Sequence, residues 1–210
     1  MRTRGWPRSL QEGSVGVRPL RLRDGVVWAE VRRRNAEWLG PWEATPPGGD
    51  LAYRDSVATF TTMTRALRRQ ARQGTAFPFV VTLDGGLVGQ LTIGNIVRGS
   101  LNSGYAGYWV DGRVAGRGIM PTALALAVDH CFAVGLHRVE ANIRPENTAS
   151  RRVVEKLGFR EEGARRRYLH IAGAYRDHLC FAITPEDVPE GLLVRWRSVL
   201  ATSRHTDGGA

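Results

Sequence analysis

The order of hydrophobic patterns in this 210-residue chain predicts a mixed α/β domain, with a central, mostly antiparallel sheet and flanking helices. Three observations carry the prediction. Two strand patterns, Phe77 to Leu83 and Leu87 to Ile96, are joined by Asp84-Gly85-Gly86, a strong hairpin signal. A third strand pattern, Gly104 to Val110, continues the meander. A glycine-rich turn then leads straight into a helical period from Ile119 to Val134, and shorter strands and helices follow. Antiparallel strands feeding a crossover exclude a doubly wound parallel sheet.

Residues 1–14 read as a flexible basic leader, so the domain is expected to span 15–184. Val15 to Leu22 has strand character. Asp24 is placed to cap a helix through Val27, Trp28 and Val31 toward Leu39. Pro41, Pro46, Pro47, Gly48 and Gly49 make 40–50 a loop, and a second helix is expected from about Asp50 to Gln73, stopped by Gly74. After the meander, Met120, Leu124, Ala127, Val128 and Cys131 recur at helical spacing, with Pro121 in the first turn and Gly135 beyond the end. A strand from Arg138 to Ile143 precedes a short helix closed by Gly158. Strand patterns then run from Phe159 to Glu162, Arg165 to Ile171 and Asp177 to Ile183. Pro185 to Leu200 reads as one more helix, in a 185–210 segment ending in a disordered tail.

Composition narrows the class. With 42% hydrophobic and 24% charged residues, the chain is ordinary for a globular protein. No apolar run approaches the roughly 18 residues that span a bilayer, and Met1 to Leu10 lacks the apolar stretch of a secretory signal. A cytoplasmic protein without membrane contact is the expectation. Cys131 and Cys180 lie in apolar segments and read as reduced core thiols, and the five histidines have no metal-ligand spacing. The formal charge of +10 is nearly all arginine, since Lys156 is the only lysine. That charge implies weak attraction to polyanions such as a phosphorylated cofactor or ribosomal RNA, without specificity.

Two motifs carry chemistry. In Val110-Asp-Gly-Arg113-Val-Ala-Gly116-Arg117-Gly118-Ile119, glycines stand between a strand and a helix start, whose first N–H groups have no intrahelical partner. Such a junction binds anions, though the same turn also serves purely structural ends. No Gly-Lys-Ser/Thr follows, so it is not a Walker loop. In Asn147-Thr-Ala-Ser150-Arg-Arg-Val-Val154-Glu-Lys-Leu-Gly158-Phe159, Asn147, Ser150 and Val154 share a helix face, and Asn147 is also a fitting N-cap.

Arg113-x-x-Gly116-x-Gly118 resembles the pyrophosphate signature of the GNAT acyltransferases, and the Asn147-x-x-Ser150 block resembles the second GNAT motif. Glu162-Gly163, the Gly173-Ala-Tyr175-Arg-Asp177 hairpin and Asn35-Ala-Glu-Trp38-Leu39-Gly-Pro41-Trp42-Glu43 are similar to the RimJ/RimL branch, the protein Nα-acetyltransferases. The resemblance covers about residues 15–184 and implies the GNAT fold, with acetyl-CoA lying where two adjacent strands splay apart. It places the backbone of Trp109 and Val110 along the pantetheine arm. It aims the N–H groups of Gly116, Arg117, Gly118 and Ile119 at the pyrophosphate, with Arg113 closing the turn. Asn147 would contact the cofactor, and Arg152 or Arg151 its phosphates, although Arg117 and both of these arginines equally suit a solvent-facing role.

For chemistry, the resemblance makes Ser150 the candidate acid. The tyrosine used by many members is replaced by Val154, and a glutamate proposed in RimL-like members corresponds to Leu169. That leaves the base unassigned, with Glu140, Glu162, Tyr168, Tyr175 or a water chain as alternatives. The acceptor implied by the resemblance is a protein N-terminus, with a ribosomal protein as the expected class. A small amine (polyamine, amino acid or aminoglycoside) and a non-catalytic acyl-CoA sensor are the competing readings. Either a monomer or a homodimer is compatible with the sequence.

Overall fold

The computed structural model describes residues 6–48 and 55–207, with side chains through 202. Eight strands form one sheet: β1 (Leu10–Glu12), β2 (Val15–Pro19), β3 (Phe77–Leu83), β4 (Gly86–Val97), β5 (Ser103–Val110), β6 (Arg138–Ile143), β7 (Arg160–Ile171) and β8 (Ala174–Ile183). Their spatial order is β1-β2-β3-β4-β5-β6-β8-β7. The β5–β6 pair is parallel and the other neighbours are antiparallel. Among the described residues six α-helices accompany the sheet: α1 (Gly25–Arg34), α2 (Ala36–Leu39), α3 (Val57–Gln73), α4 (Ile119–Ala133), α5 (Thr148–Leu157) and α6 (Leu192–Asp207).

Period-2 alternation in β3 builds a core on each side of the sheet. Phe77, Phe79 and Val81 join the larger core with α4, while Val80 joins a smaller one with Trp28 of α1 and Phe60 of α3. The larger core is organised around α4. Twelve of its residues are buried, including Ile119, Met120, Leu124, Ala127, Val128 and Cys131, so this helix is apolar all round and sits inside the fold. Burial pushes the Cys131 thiol pKa up, which keeps it protonated and unreactive. Cys180 is also a free thiol, half-buried and raised by the same cause.

Several boundaries differ from the sequence reading, each for an identifiable reason. Within the expected leader, Leu10–Glu12 pairs with β2 through the two-residue turn Gly13-Ser14, with Gly13 at φ +55°. Trp6 stacks on Phe77 at 5.8 Å. At the other end, Leu192 and Trp196 of α6 are buried in the larger core, and Trp196 Nε1 donates to Thr122 Oγ1 at 2.8 Å. Segments expected to flank the domain thus supply core. The C-terminal helix begins after a 3-10 turn at Pro185–Asp187 and runs to Asp207; the expected tail beyond it lies outside the described residues.

Asp24 occupies the N-cap position of α1 but gives the helix no side-chain hydrogen bond, because its carboxylate is taken by Arg18 (2.8 and 2.9 Å) and the Arg21 N–H (2.8 Å). The helix expected to continue to Leu39 breaks at Asn35, whose side chain bonds the Val31 carbonyl, Asp111 and the Gly112 N–H. The loop that follows contains a 3-10 turn at Gly40–Trp42, and Ala44 bridges to Ile171. Ser56 caps α3 by accepting from Thr59 N at 3.0 Å, which starts that helix at Val57; residues 50–54 of the expected helix lie outside the described residues. Finally, the strands expected at 159–162 and 165–171 form one long strand, β7, with breaks in register at Glu161/Gly163 and Arg165/Leu169.

Candidate active site

Strands β5 and β6 pair only at Ser103, Gly104 and Tyr105, opposite Arg138, Val139 and Glu140. Beyond Tyr105 they separate, because β6 continues along β8 while β5 stays with β4. The result is a wedge inside the sheet, with an unpaired edge of β5 facing an unpaired edge of β6. The phase of the β4–β5 ladder is set by Asp111 N donating to the Val88 carbonyl at 2.8 Å. Alternation then directs the peptide groups of Trp109 to Gln90 and those of Tyr108 and Val110 to the open side. Trp109 lines the cavity, yet its peptide groups belong to β4; this corrects the expectation that Trp109 and Val110 together present backbone to a ligand. The Val110 carbonyl accepts from Trp38 Nε1 at 3.3 Å.

A cavity of about 520 Å³ occupies one side of the wedge. The glycine turn, Trp38, Trp42, Tyr108 and the first turns of α4 and α5 line it. Gly116 (φ +80°) and Gly118 (φ +76°) adopt left-handed backbone, which favours glycine. A Cβ at Gly116 would meet no atom within 4 Å, so the turn is an open cradle at the mouth of the cavity. Gly118 and Ile119 line this cavity with Gly116, whereas Arg117 is exposed and outside the lining. Arg113 folds back on Asp111 at 3.0 Å and closes the turn.

Asp111 anchors the turn from beneath. Its side chain is 1% exposed and accepts from Arg34 (2.7 Å), Arg113 (3.0 Å) and Asn35 (3.0 Å). Burial opposes ionisation, but these partners outweigh it and hold the carboxyl pKa well below the usual range. Nearby, Arg32 lies 5.4 Å from the ring centroids of both Trp28 and Trp109 and pairs with Asp55 at 2.8 Å and with Glu43. The end of α1 and the segment after it are therefore fixed to the end of β5 through Asp111.

On α5, Asn147 is the N-cap, its Oδ1 accepting from the Ser150 N–H at 3.0 Å. Arg152 and Lys156, one helical turn apart, both line the large cavity, and neither forms an ion pair among the described residues. Lys156 was missed by the sequence reading. Arg151 is occupied by Glu155 and the Pro145 carbonyl.

Ser150 meets a partner that motif spacing did not reveal. Its Oγ donates to Tyr108 Oη at 2.9 Å, and Tyr108 Oη donates to the Ser150 carbonyl at 3.2 Å. Burial pushes the Tyr108 pKa up, so the phenol stays protonated across the physiological range. A second chamber of about 190 Å³ adjoins the first and shares Trp42, Tyr108, Asn147 and Ser150 with it. Tyr105, Asn142, Leu169 and His178 line its far side.

The alternatives considered for a base are placed elsewhere. Glu140 pairs with Arg138 (2.9 Å) and Arg165 (3.2 Å), and Glu162 with Arg138 and Arg160. Neither carboxylate lines either chamber, and the same holds for Tyr168 and Tyr175. Val154 is fully buried in the core and Leu169 lines the second chamber as an apolar wall. Among the described residues no cluster of metal-ligating side chains occurs.

A splayed parallel pair, a glycine cradle before a buried helix and paired hydroxyls where two chambers meet define an acyltransferase cleft. The family description "Acetyltransferase (GNAT) domain" matches residues 15–160, and the chain belongs to that family. It is 40% identical over 180 residues to "Probable N-acetyltransferase YjcK" of Bacillus subtilis, covering 85% of this chain and 98% of that one. It is 31% identical over 184 residues to "[Ribosomal protein uS5]-alanine N-acetyltransferase" of Escherichia coli, covering 83% and 90%. Among solved structures, "Mycobacterium smegmatis RimJ in complex with CoA-disulfide" superposes with a TM-score of 0.89 at 46% identity, covering 95% of this chain and 97% of that one.

Proposed function

We propose that this acetyltransferase uses acetyl-CoA to acetylate the α-amine of a protein N-terminus, with ribosomal proteins as the acceptor class and the cytoplasm as its place of action. The observation that carries this reading is the joining of two unequal chambers at Ser150 and Tyr108: a long cleft for a cofactor and a small one for a short acceptor end. The relatives named for ribosomal-protein acetylation support the acceptor, and the one solved with a CoA disulfide supports the cofactor.

The residues present fit acetyl-CoA. The outward peptide groups of Tyr108 and Val110 suit an extended amide-bearing arm, which would lie against β5 as an added strand does. The Gly116–Ile119 turn has room for pyrophosphate, and Arg152 and Lys156 stand at the rim to meet further phosphate charge. Bound there, the co-substrate would supply an acetyl group activated as a thioester. The chain's part is then positioning and proton handling. Tyr108, kept protonated by burial and ordered by Ser150, offers a proton at Oη to a departing sulfur. An N-terminal amine with a reference pKa near 8 is roughly one-fifth neutral at pH 7.4, so orientation supplies much of the remaining rate.

Tyr108→Phe is expected to lower kcat about 100-fold, and Ser150→Ala about 10-fold because Tyr108 remains. Neither should change acetyl-CoA affinity more than about threefold; unaltered kcat in both variants would remove the pair from the mechanism. The acceptor is tested with labelled acetyl-CoA against ribosomal proteins, Ala- and Ser-starting peptides and a small-amine panel, with products read by mass spectrometry. Label on peptide α-amines is the expected result, and turnover of small amines alone would refute the Nα reading. The arginine-rich surface adds a weak, salt-sensitive attraction to the ribosome or its RNA.

A further inference from the structure

We infer that His178 is the general base of this enzyme, taking the proton from the acceptor ammonium in the second chamber, with Asn142 beside it as an acceptor for amine N–H groups. The assignment rests on the proposed amine-acetylating function and deepens it, since none of the carboxylates considered for the role lines either chamber.

The tautomer follows from hydrogen bonding. His178 Nδ1 lies 3.0 Å from the Arg176 carbonyl oxygen, which can only accept, so Nδ1 carries the hydrogen. Nε2 is left with its lone pair, and it has no hydrogen-bond partner among the described residues. His178 is 2% exposed and lines the chamber that Ser150 and Tyr108 close from the other side. Asn142, 8% exposed, lines the same chamber, and its Oδ1 is buried without a partner among the described residues. Two buried polar side chains with unused acceptor capacity, in a chamber of about 190 Å³, suit a ligand that brings N–H donors and little bulk. A primary ammonium on a small first residue has that chemistry. Leu169 and Ile171 supply apolar wall for the adjoining side chain.

The charged neighbours pull the ring in both directions, and burial decides in favour of the neutral form. Arg165 faces His178 across β7, where Tyr168 also packs edge-on at 5.5 Å. Tyr105 of β5 shares the chamber. From the β6–α5 loop, Arg144 lowers the histidine pKa and Glu146 raises it, and Asp177 on β8 also raises it. Desolvation by burial is the largest influence and sets the net downward direction. The base form is therefore present at neutral pH.

The proton balance is simple. One ammonium N–H bond breaks, its electron pair stays on nitrogen, and the proton goes to Nε2 directly or through one water and thence to solvent. The second proton, lost from nitrogen after it bonds carbon, matches the one that Tyr108 and Ser150 deliver to sulfur. Per amide formed, one proton is released.

The test compares wild type with His178→Gln across pH 5–9, using a Ser-starting peptide at saturation. Wild-type kcat should fall on acidification through a limb below the ordinary histidine pKa of about 6.5, and the variant should lack that limb. At pH 7 the variant should be about 100-fold slower, with the gap closing to about 10-fold at pH 9, where the acceptor supplies its own neutral amine. Acetyl-CoA affinity by calorimetry should be unchanged. Asn142→Leu should raise the peptide KM about tenfold and, without acetyl-CoA present, weaken peptide binding to the same extent. A variant within threefold of wild type at pH 7, or one retaining the acidic limb, overturns the assignment. Should His178→Gln not fold, histidine-selective 15N NMR of the wild type decides: Nδ1–H supports the assignment and Nε2–H overturns it. If peptides are not acetylated but a small amine is, the Nα reading fails by itself, and the same pH comparison with that amine still tests His178.

Discussion

Gly116→Val is expected to weaken acetyl-CoA binding by on the order of 100-fold, about 2.7 kcal/mol, read by calorimetry. The backbone at Gly116 has φ +80°, where a β-branched residue is strained by about 1–3 kcal/mol. Relief requires the turn to rotate, which takes its N–H groups out of the proposed phosphate cradle. An unstrained valine would instead put its methyls into the open space that the glycine leaves. Gly135→Val provides the control. Gly135 has φ +84° and equally open surroundings, follows α4 and lies outside both chambers. That variant should lose melting temperature and keep its affinity. Equal affinity in the folded Gly116→Val protein would refute the cradle.

Asp111→Ala is expected to cost about 3 kcal/mol of stability, measured by urea unfolding, and to weaken cofactor binding as well. Removing this carboxylate leaves the half-buried Arg34 without its close partner and frees the turn that Arg113 closes. Arg113 is 67% exposed, so most of the loss comes from the Arg34 and Asn35 side. The pH dependence has a definite sign. The folded-state pKa of Asp111 is depressed, so its stabilisation is fully present above the unfolded aspartate pKa of about 3.9 and is lost as pH falls below it. The stability gap between wild type and Asp111→Asn should therefore be constant from pH 7 to 5 and narrow from pH 4 downward. A gap that keeps its full pH 7 size at pH 2.5 would show that the ionised carboxylate is not the source.

Local punctuation made much of the fold readable. Gly74, Gly135 and Gly158 mark helix ends, and the Asp84-Gly85 hairpin sits where its residues demand it. Much of the large cavity's lining was legible for the same reason, since the turn and the Asn147–Ser150 segment are each continuous in sequence. The break at Asn35 was not, because its cause is Asp111, 76 residues away. Tyr108 and His178 escaped for a related reason. Each reads as an ordinary strand residue, and only the parting of β5 from β6 brings it to a chamber. Trp109 shows the converse: it lies in the right segment, but pleat phase turns its peptide groups the wrong way.

The long outer strand β7 has a bearing on solution behaviour. The sheet ends on one side with a strand of three residues and on the other with one of twelve, most of whose side chains face solvent. An outermost strand of that length is a template onto which a second chain can add. Arg165, Arg166 and Arg167 concentrate positive charge at its midpoint, and Arg167 sits at φ +49° in the irregular stretch. Two copies brought edge to edge would meet like charge and a broken ladder together. Resistance to edge-to-edge addition at β7 is thereby built into one segment of this chain, and it would weaken with rising salt even while the cleft on the other side of β8 kept its shape.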